Sequence, residues 1–241
     1  MKRAYLIELA IFRDYGTQLL GLGLLVAVLI SVGMQTALAA PAVLSCMFFM
    51  MGAMGAAAYD EQSGWGLFRL TMPLSRRDVV LGRYGAIVTL GLGGMAAGVA
   101  VALVLGAAAS AGLLPGGLSE TFRLDADLMR VMALVTAFCL LIGATVASVV
   151  TPVYFRLGQT KATQLLPTVI VMLFVLPVVF LGNSGLLDGG LPGLELVSRL
   201  LDLLGTAQGT ALGCAAMVAL SAALLCVSAA LSLRLYETRE L

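Results

Sequence analysis

The sequence predicts an all-α integral membrane protein with six transmembrane helices and both termini in the cytoplasm, and three observations carry that prediction. The first is composition: 61% of the 241 residues are hydrophobic and 11% are charged, where a water-soluble domain carries about 25% charged and under half apolar residues. With a mean hydropathy of +1.05, the surplus apolar surface needs a bilayer as its solvent. The 14 basic and 13 acidic residues leave a formal charge of +1, which excludes nucleic acid as an electrostatic partner. Low charge combined with high apolarity also excludes disorder.

The second observation is the spacing of the charges. Five windows, 15–59, 84–119, 131–155, 162–187 and 203–233, contain no Asp, Glu, Lys or Arg and together hold 163 residues. A spanning helix needs about 20 apolar residues, so the first window accommodates two spans and each of the others one. The spans fall near 16–34, 37–58, 82–108, 129–151, 162–182 and 208–232. Gly33 to Thr36, followed by Pro41, supplies the turn inside the first window.

The third observation fixes the orientation. Lys2, Arg3, Arg13, Arg69, Arg76, Arg77, Arg83, Arg156, Lys161, Arg234 and Arg239 fall in one set of segments, and Arg123, Arg130 and Arg199 in the opposite set. Basic residues in short loops stay in the cytoplasm, so eleven against three puts both ends of the chain inside. The domain is single, over 1–241.

Before the first span, residues 1–14 read as an amphipathic helix along the inner membrane surface, with Tyr5, Leu6, Leu9 and Phe12 at helical spacing. A cleaved signal peptide is the alternative, on the small residues of Ala37-Leu38-Ala39. It is disfavoured because Asp14 interrupts the run and the residues after Ala39 continue as an apolar helix. Between spans two and three, Asp60 reads as an N-cap with Glu61 and Gln62 in a positive first turn. Trp65, Phe68 and Met72 share one face and Pro73 ends the helix, after which Ser75 and Asp78 form a capping box for the next. The acidic segment from Leu113 to Asp127 is longer than a minimal turn, and 191–205 reads as a second amphipathic stretch, extracytoplasmic, capping the outer mouth.

Catalysis finds no support in the residues. The chain has no histidine, so neither a Ser-His-Asp nor a Cys-His arrangement is available, and no phosphate-binding GxxxxGK[ST] loop occurs. Cys46, Cys139, Cys214 and Cys226 lie inside the spans without metal-ligand spacing and read as buried apolar-like side chains. No cofactor or metal site is expected. The charge-free windows hold no ionisable residue of the kind that couples ion flow to transport, which argues against an ion-coupled secondary transporter or channel. A non-transporting scaffold is the third class. Two features of the spans have a packing reading and a functional one. Gly94 with Gly98 and Gly209 with Gly213 have the GxxxG spacing of close helix approach. Met47, Met50, Met51 and Met54 fit either an adaptable apolar path or the core.

The loop 59–78, with its Gly64-Trp65 step and the run Leu70-Thr71-Met72-Pro73-Leu74-Ser75-Arg76-Arg77-Asp78-Val79-Val80-Leu81-Gly82-Arg83-Tyr84, closely resembles the type-2 permease family of ATP-binding-cassette (ABC) exporters. The ending from Leu231 to Leu241 resembles that family as well. The resemblance implies a bacterial-type cytoplasmic membrane and a chain that forms the translocation pathway without being an enzyme itself. It implies a short cytoplasmic coupling helix between spans two and three, docked on a separate ABC ATPase subunit that holds ATP and Mg. The residues it assigns to that contact are Asp60, Glu61, Trp65, Phe68, Arg69 and Met72. Membrane lipids and a second copy of the chain, or a similar permease, are the other partners implied. The uncharged span walls suit hydrophobic or amphipathic cargo such as a peptide, lipid or drug.

Overall fold

The computed structural model describes residues 2–62, 74–114, 117–157, 168, 172 and 202–237. Among these residues all regular structure is helical: α1 (Lys2–Gly33), α2 (Ala39–Gln62), α3 (Arg76–Ser110), the single turn α4 (Leu118–Thr121), α5 (Ala126–Leu157) and α6 (Ala207–Glu237). Four segments are long and apolar enough to cross a membrane, namely Gly16–Gly33, Arg76–Ser110, Ala126–Arg156 and Ala207–Tyr236. A shorter apolar stretch, Ala39–Gly55, lies in α2. The fifth expected span, 162–182, falls outside the described residues apart from positions 168 and 172.

The turn expected at Gly33 to Thr36 is present. α1 ends at Gly33, and the Met34 N–H donates to the Ile30 carbonyl at 2.8 Å and the Thr36 N–H to the Ser31 carbonyl at 3.0 Å. Gln35 takes a positive φ of 51°, a left-handed cap of the kind that closes helix ends. α2 then starts at Ala39, and Pro41 sits in its first turn, where a missing N–H costs nothing.

Two expected boundaries do not hold. The amphipathic segment 1–14 and the first span are one continuous helix, α1, because nothing between Asp14 and Thr17 stops a helix and a lone Gly16 costs only about 1 kcal/mol. Ala4, Glu8 and Phe12, four residues apart, face inward, while Leu6 is 59% exposed. Likewise Asp60 does not open a new helix: α2 runs without a break to Gln62, so Asp60 and Glu61 stand at its C-terminal end. The alanines before them favour continuation more than Asp60 favours a start.

Neighbouring helices pack through small residues. Phe48 of α2 lies over Gly94 of α3, and a Cβ at Gly98 would stand 2.5 Å from the Pro41 Cα and 2.9 Å from the Ala40 carbonyl oxygen. The Gly94/Gly98 pair thus serves approach between helices of one chain. The main core cluster joins four helices through Phe49, Ile87, Ala144 and Leu225. At one end of the bundle the segment after α3 folds inward. Phe122 is fully buried there beside Ala102, Ala109 and Met132, with Leu118 and Leu124 packed against the same cluster, so these apolar side chains of the expected acidic stretch close that end. Met47 and Met50 pack into clusters with their neighbours, as core side chains do, whereas Met51 is 37% exposed. Among the cysteines, Cys46, Cys139 and Cys214 are half-buried, but Cys226 is exposed, against the expectation that all four are buried.

Candidate functional site

At the end of the bundle opposite Phe122, the first three turns of α3 gather contacts from the other long helices. They begin with the predicted cap: the Ser75 hydroxyl accepts from the Asp78 N–H at 3.1 Å and donates to the Asp78 carboxylate at 2.7 Å. Ser75 is extended and α3 starts after it, at Arg76.

Each inward position of these turns meets a different neighbour. The Arg76 guanidinium donates to the Tyr236 carbonyl of α6 at 2.9 Å and lies 5.6 Å from the centre of the same residue's ring. Gly82 lets the backbone of α1 come close, since a Cβ there would be 3.1 Å from the Ala4 carbonyl carbon. Arg83 is 1% exposed and pairs with Glu8 of α1 at 3.3 Å. Its guanidinium also stands over the rings of Tyr154 (5.3 Å) and Phe155 (6.0 Å) at the end of α5. The Tyr84 hydroxyl sits 2.6 Å from Ser228 Oγ and 2.9 Å from Ser232 Oγ of α6, and Ser228 in turn donates to the Ser148 carbonyl of α5 at 2.6 Å. Phe155 and Tyr236 pack ring on ring at 5.2 Å.

These contacts are strong in kind. A buried ion pair loses several kcal/mol of hydration per ion and is sound only with close geometry and further support, which the two aromatic faces give to Arg83. The hydroxyls of Tyr84, Ser228 and Ser232 are likewise satisfied by one another. The start of α3 is therefore fixed laterally to α1, α5 and α6 at once.

Residues 8–237 match the family described as ABC-2 family transporter protein. The chain belongs to that family. No curated protein and no solved structure matches it. Of the predicted site residues of this ABC-2 family transporter, Trp65, Phe68, Arg69 and Met72 lie outside the described residues. Asp60 and Glu61 are placed by the backbone alone, on the last described turn of α2.

Sequence reasoning missed the cluster itself. Glu8 was hidden in an apolar-looking helix, and Arg83 read as a loop cation at the edge of a span. Two signals were available: Glu8 shares a four-residue spacing with Ala4 and Phe12, and Arg83 lies seven residues inside the helix that Ser75 caps.

Proposed function

We propose that this chain is the membrane subunit of an ABC exporter, with six spans and both termini in the cytoplasm. A separate ABC ATPase binding ATP and Mg drives it, through the cytoplasmic segment 59–78. Trp65, Phe68, Arg69 and Met72 contact that ATPase as a coupling helix, with Asp60 and Glu61 at its approach. Two copies, or this chain and a similar permease, enclose a path for hydrophobic or amphipathic cargo in a bacterial-type cytoplasmic membrane.

The observation that carries this reading is the fixation of the α3 start, through Arg76, Arg83 and Tyr84, to three other helices. A push on the segment just ahead of Ser75 reaches all of them. Helix direction supports six spans: α5 ends beside Arg83 and α6 ends beside Arg76, so both run toward the same end of the bundle. A span within the apolar stretch 162–182 accounts for the return between them. α1 begins and α6 ends at that same end, in line with the eleven-to-three asymmetry of basic residues that places it in the cytoplasm.

The test is pull-down of the ATPase by wild-type and Trp65→Ala/Phe68→Ala permease. Aromatic anchors of this kind each contribute about 2 kcal/mol or more to an interface, so association and ATP-driven transport should both fall while membrane insertion is unchanged. Undiminished association in the double variant would refute the coupling assignment.

A further inference from the structure

Between α1 and α3 an open apolar groove of about 600 Å³ runs along the outside of the bundle, within the range of about 300–1,000 Å³ that small-molecule sites occupy. Its floor is made by Phe12 and Phe48, each 2% exposed. Two glycines on its walls keep it open. A Cβ at Gly93 would meet nothing within 4 Å, and one at Gly16 only the Leu90 side chain at 3.7 Å. The rim is exposed, Leu20 by 41%, so the space belongs to whatever surrounds the helices.

The groove also has one cation on its wall, the exposed Arg13. Arg13 stands at a defined level: the uncharged spanning segment of α1 opens three residues later, at Gly16. Beyond it the groove is lined by Gly16, Leu20 and Gly93. A positive charge at the hydrocarbon boundary followed by an apolar trough matches one chemistry, a molecule with an anionic head at the interface and a hydrocarbon tail below it. Arginine reaches such a head readily because its stem packs on apolar surface while the guanidinium stays at the polar level.

We propose that this groove seats one acyl chain of an anionic phospholipid from the cytoplasmic leaflet, with its phosphate held by Arg13. The lipid fills the gap between α1 and α3 beside the Glu8–Arg83 pair and is part of the folded bundle's wall.

The test uses the full chain reconstituted in phosphatidylcholine containing a minor fraction of phosphatidylglycerol, followed by native mass spectrometry of the extracted protein. One basic residue near an anionic surface contributes a free energy equivalent to about a five-fold preference, so the wild type should retain one phosphatidylglycerol about five-fold over its bulk ratio. Arg13→Gln should abolish the preference while lipid is still retained, and Arg13→Lys should keep it. Gly93→Leu, which adds side chain to the groove wall where a Cβ meets nothing within 4 Å, should remove the retained lipid. Leu20→Trp, introduced from the exposed rim, does the same where Gly93→Leu fails to fold. Equal retention of both lipids by the wild type, or undiminished lipid in the filled variants, would overturn the proposal. So would a disulfide-linked dimer formed by Gly93→Cys in the membrane, since a second copy would then occupy the groove.

Discussion

Replacing Glu8 with Gln tests how firmly α1 is held to α3. Glu8 and Arg83 are 3% and 1% exposed and lie 3.3 Å apart, and removing one partner of a buried pair costs about 3–5 kcal/mol. Arg83 keeps the faces of Tyr154 and Phe155 at 5.3 and 6.0 Å, so Glu8→Gln belongs at the lower end, about 3 kcal/mol. Arg83→Met leaves the carboxylate buried without its cation and belongs at the upper end, about 5 kcal/mol. The double variant Glu8→Gln/Arg83→Met buries no net charge and should fall within about 1 kcal/mol of wild type, because neutral replacement of a whole buried pair is close to balanced. For a chain of this length a destabilisation of 1 kcal/mol lowers the melting temperature by about 2–4 °C, which makes Glu8→Gln melt about 6–12 °C early. A thiol-reactive dye reads the transition through the half-buried Cys46, Cys139 and Cys214. Single variants that melt within about 2 °C of wild type, or a double variant no better than the worse single, would refute the view that the pair's charges depend on each other.

Gly98→Val places side-chain carbon against the Pro41 backbone, and should cost about 1–3 kcal/mol or more by overpacking; Gly21→Val, where a Cβ meets nothing within 4 Å, should not, as the same melting assay will show. Tyr84→Phe removes the hydroxyl shared by Ser228 and Ser232, and should cost about 1–3 kcal/mol by leaving buried oxygens without their partner. It leaves the contacts of α3 to α1 in place, so disulfide trapping between α1 and α3 should proceed as in wild type.

The parts of the fold that were legible in the sequence are those set by long-range composition. Charge-free windows located the four described segments that are long and apolar enough to span, and the Gly33 to Thr36 turn and the Ser75 cap were legible because each rests on a few adjacent residues. The boundaries that failed were cases of competition between local signals and helix continuation. Asp60 is a competent cap, yet the three alanines 56–58 carry α2 past it, and Gly16 is a weak breaker inside a chain of good helix formers. The Arg83 cluster was not legible because it is purely tertiary. Glu8 and Arg83 are 75 positions apart, and Tyr84 finds its serines 144 and 148 positions away. Neither separation leaves a periodicity to read.

Where helices are rigidly joined decides how a force at their ends is distributed. α2 and α3 meet over most of their length through Phe48 on Gly94 and Pro41 on Gly98, contacts in which a large group or a backbone rests directly on a glycine. Interfaces packed this closely slide only at the cost of steric overlap, so α2 and α3 respond as one hairpin. The segment 63–73 joins their adjacent ends and therefore acts on both. The hairpin is attached to the rest of the bundle by apolar packing as well, Phe49 and Ile87 lying against Ala144 and Leu225, and charged and hydroxyl contacts through Arg76, Arg83 and Tyr84 are added at one end. Polar contacts of this kind exchange partners in discrete steps, in contrast to the packed glycine seam, which has one arrangement. Under the proposed coupling, a push delivered at the tip of the hairpin meets α1, α5 and α6 first at Arg76, Arg83 and Tyr84. That location is the end from which the proposed ATPase acts, so the first helices to respond are those nearest the source of work.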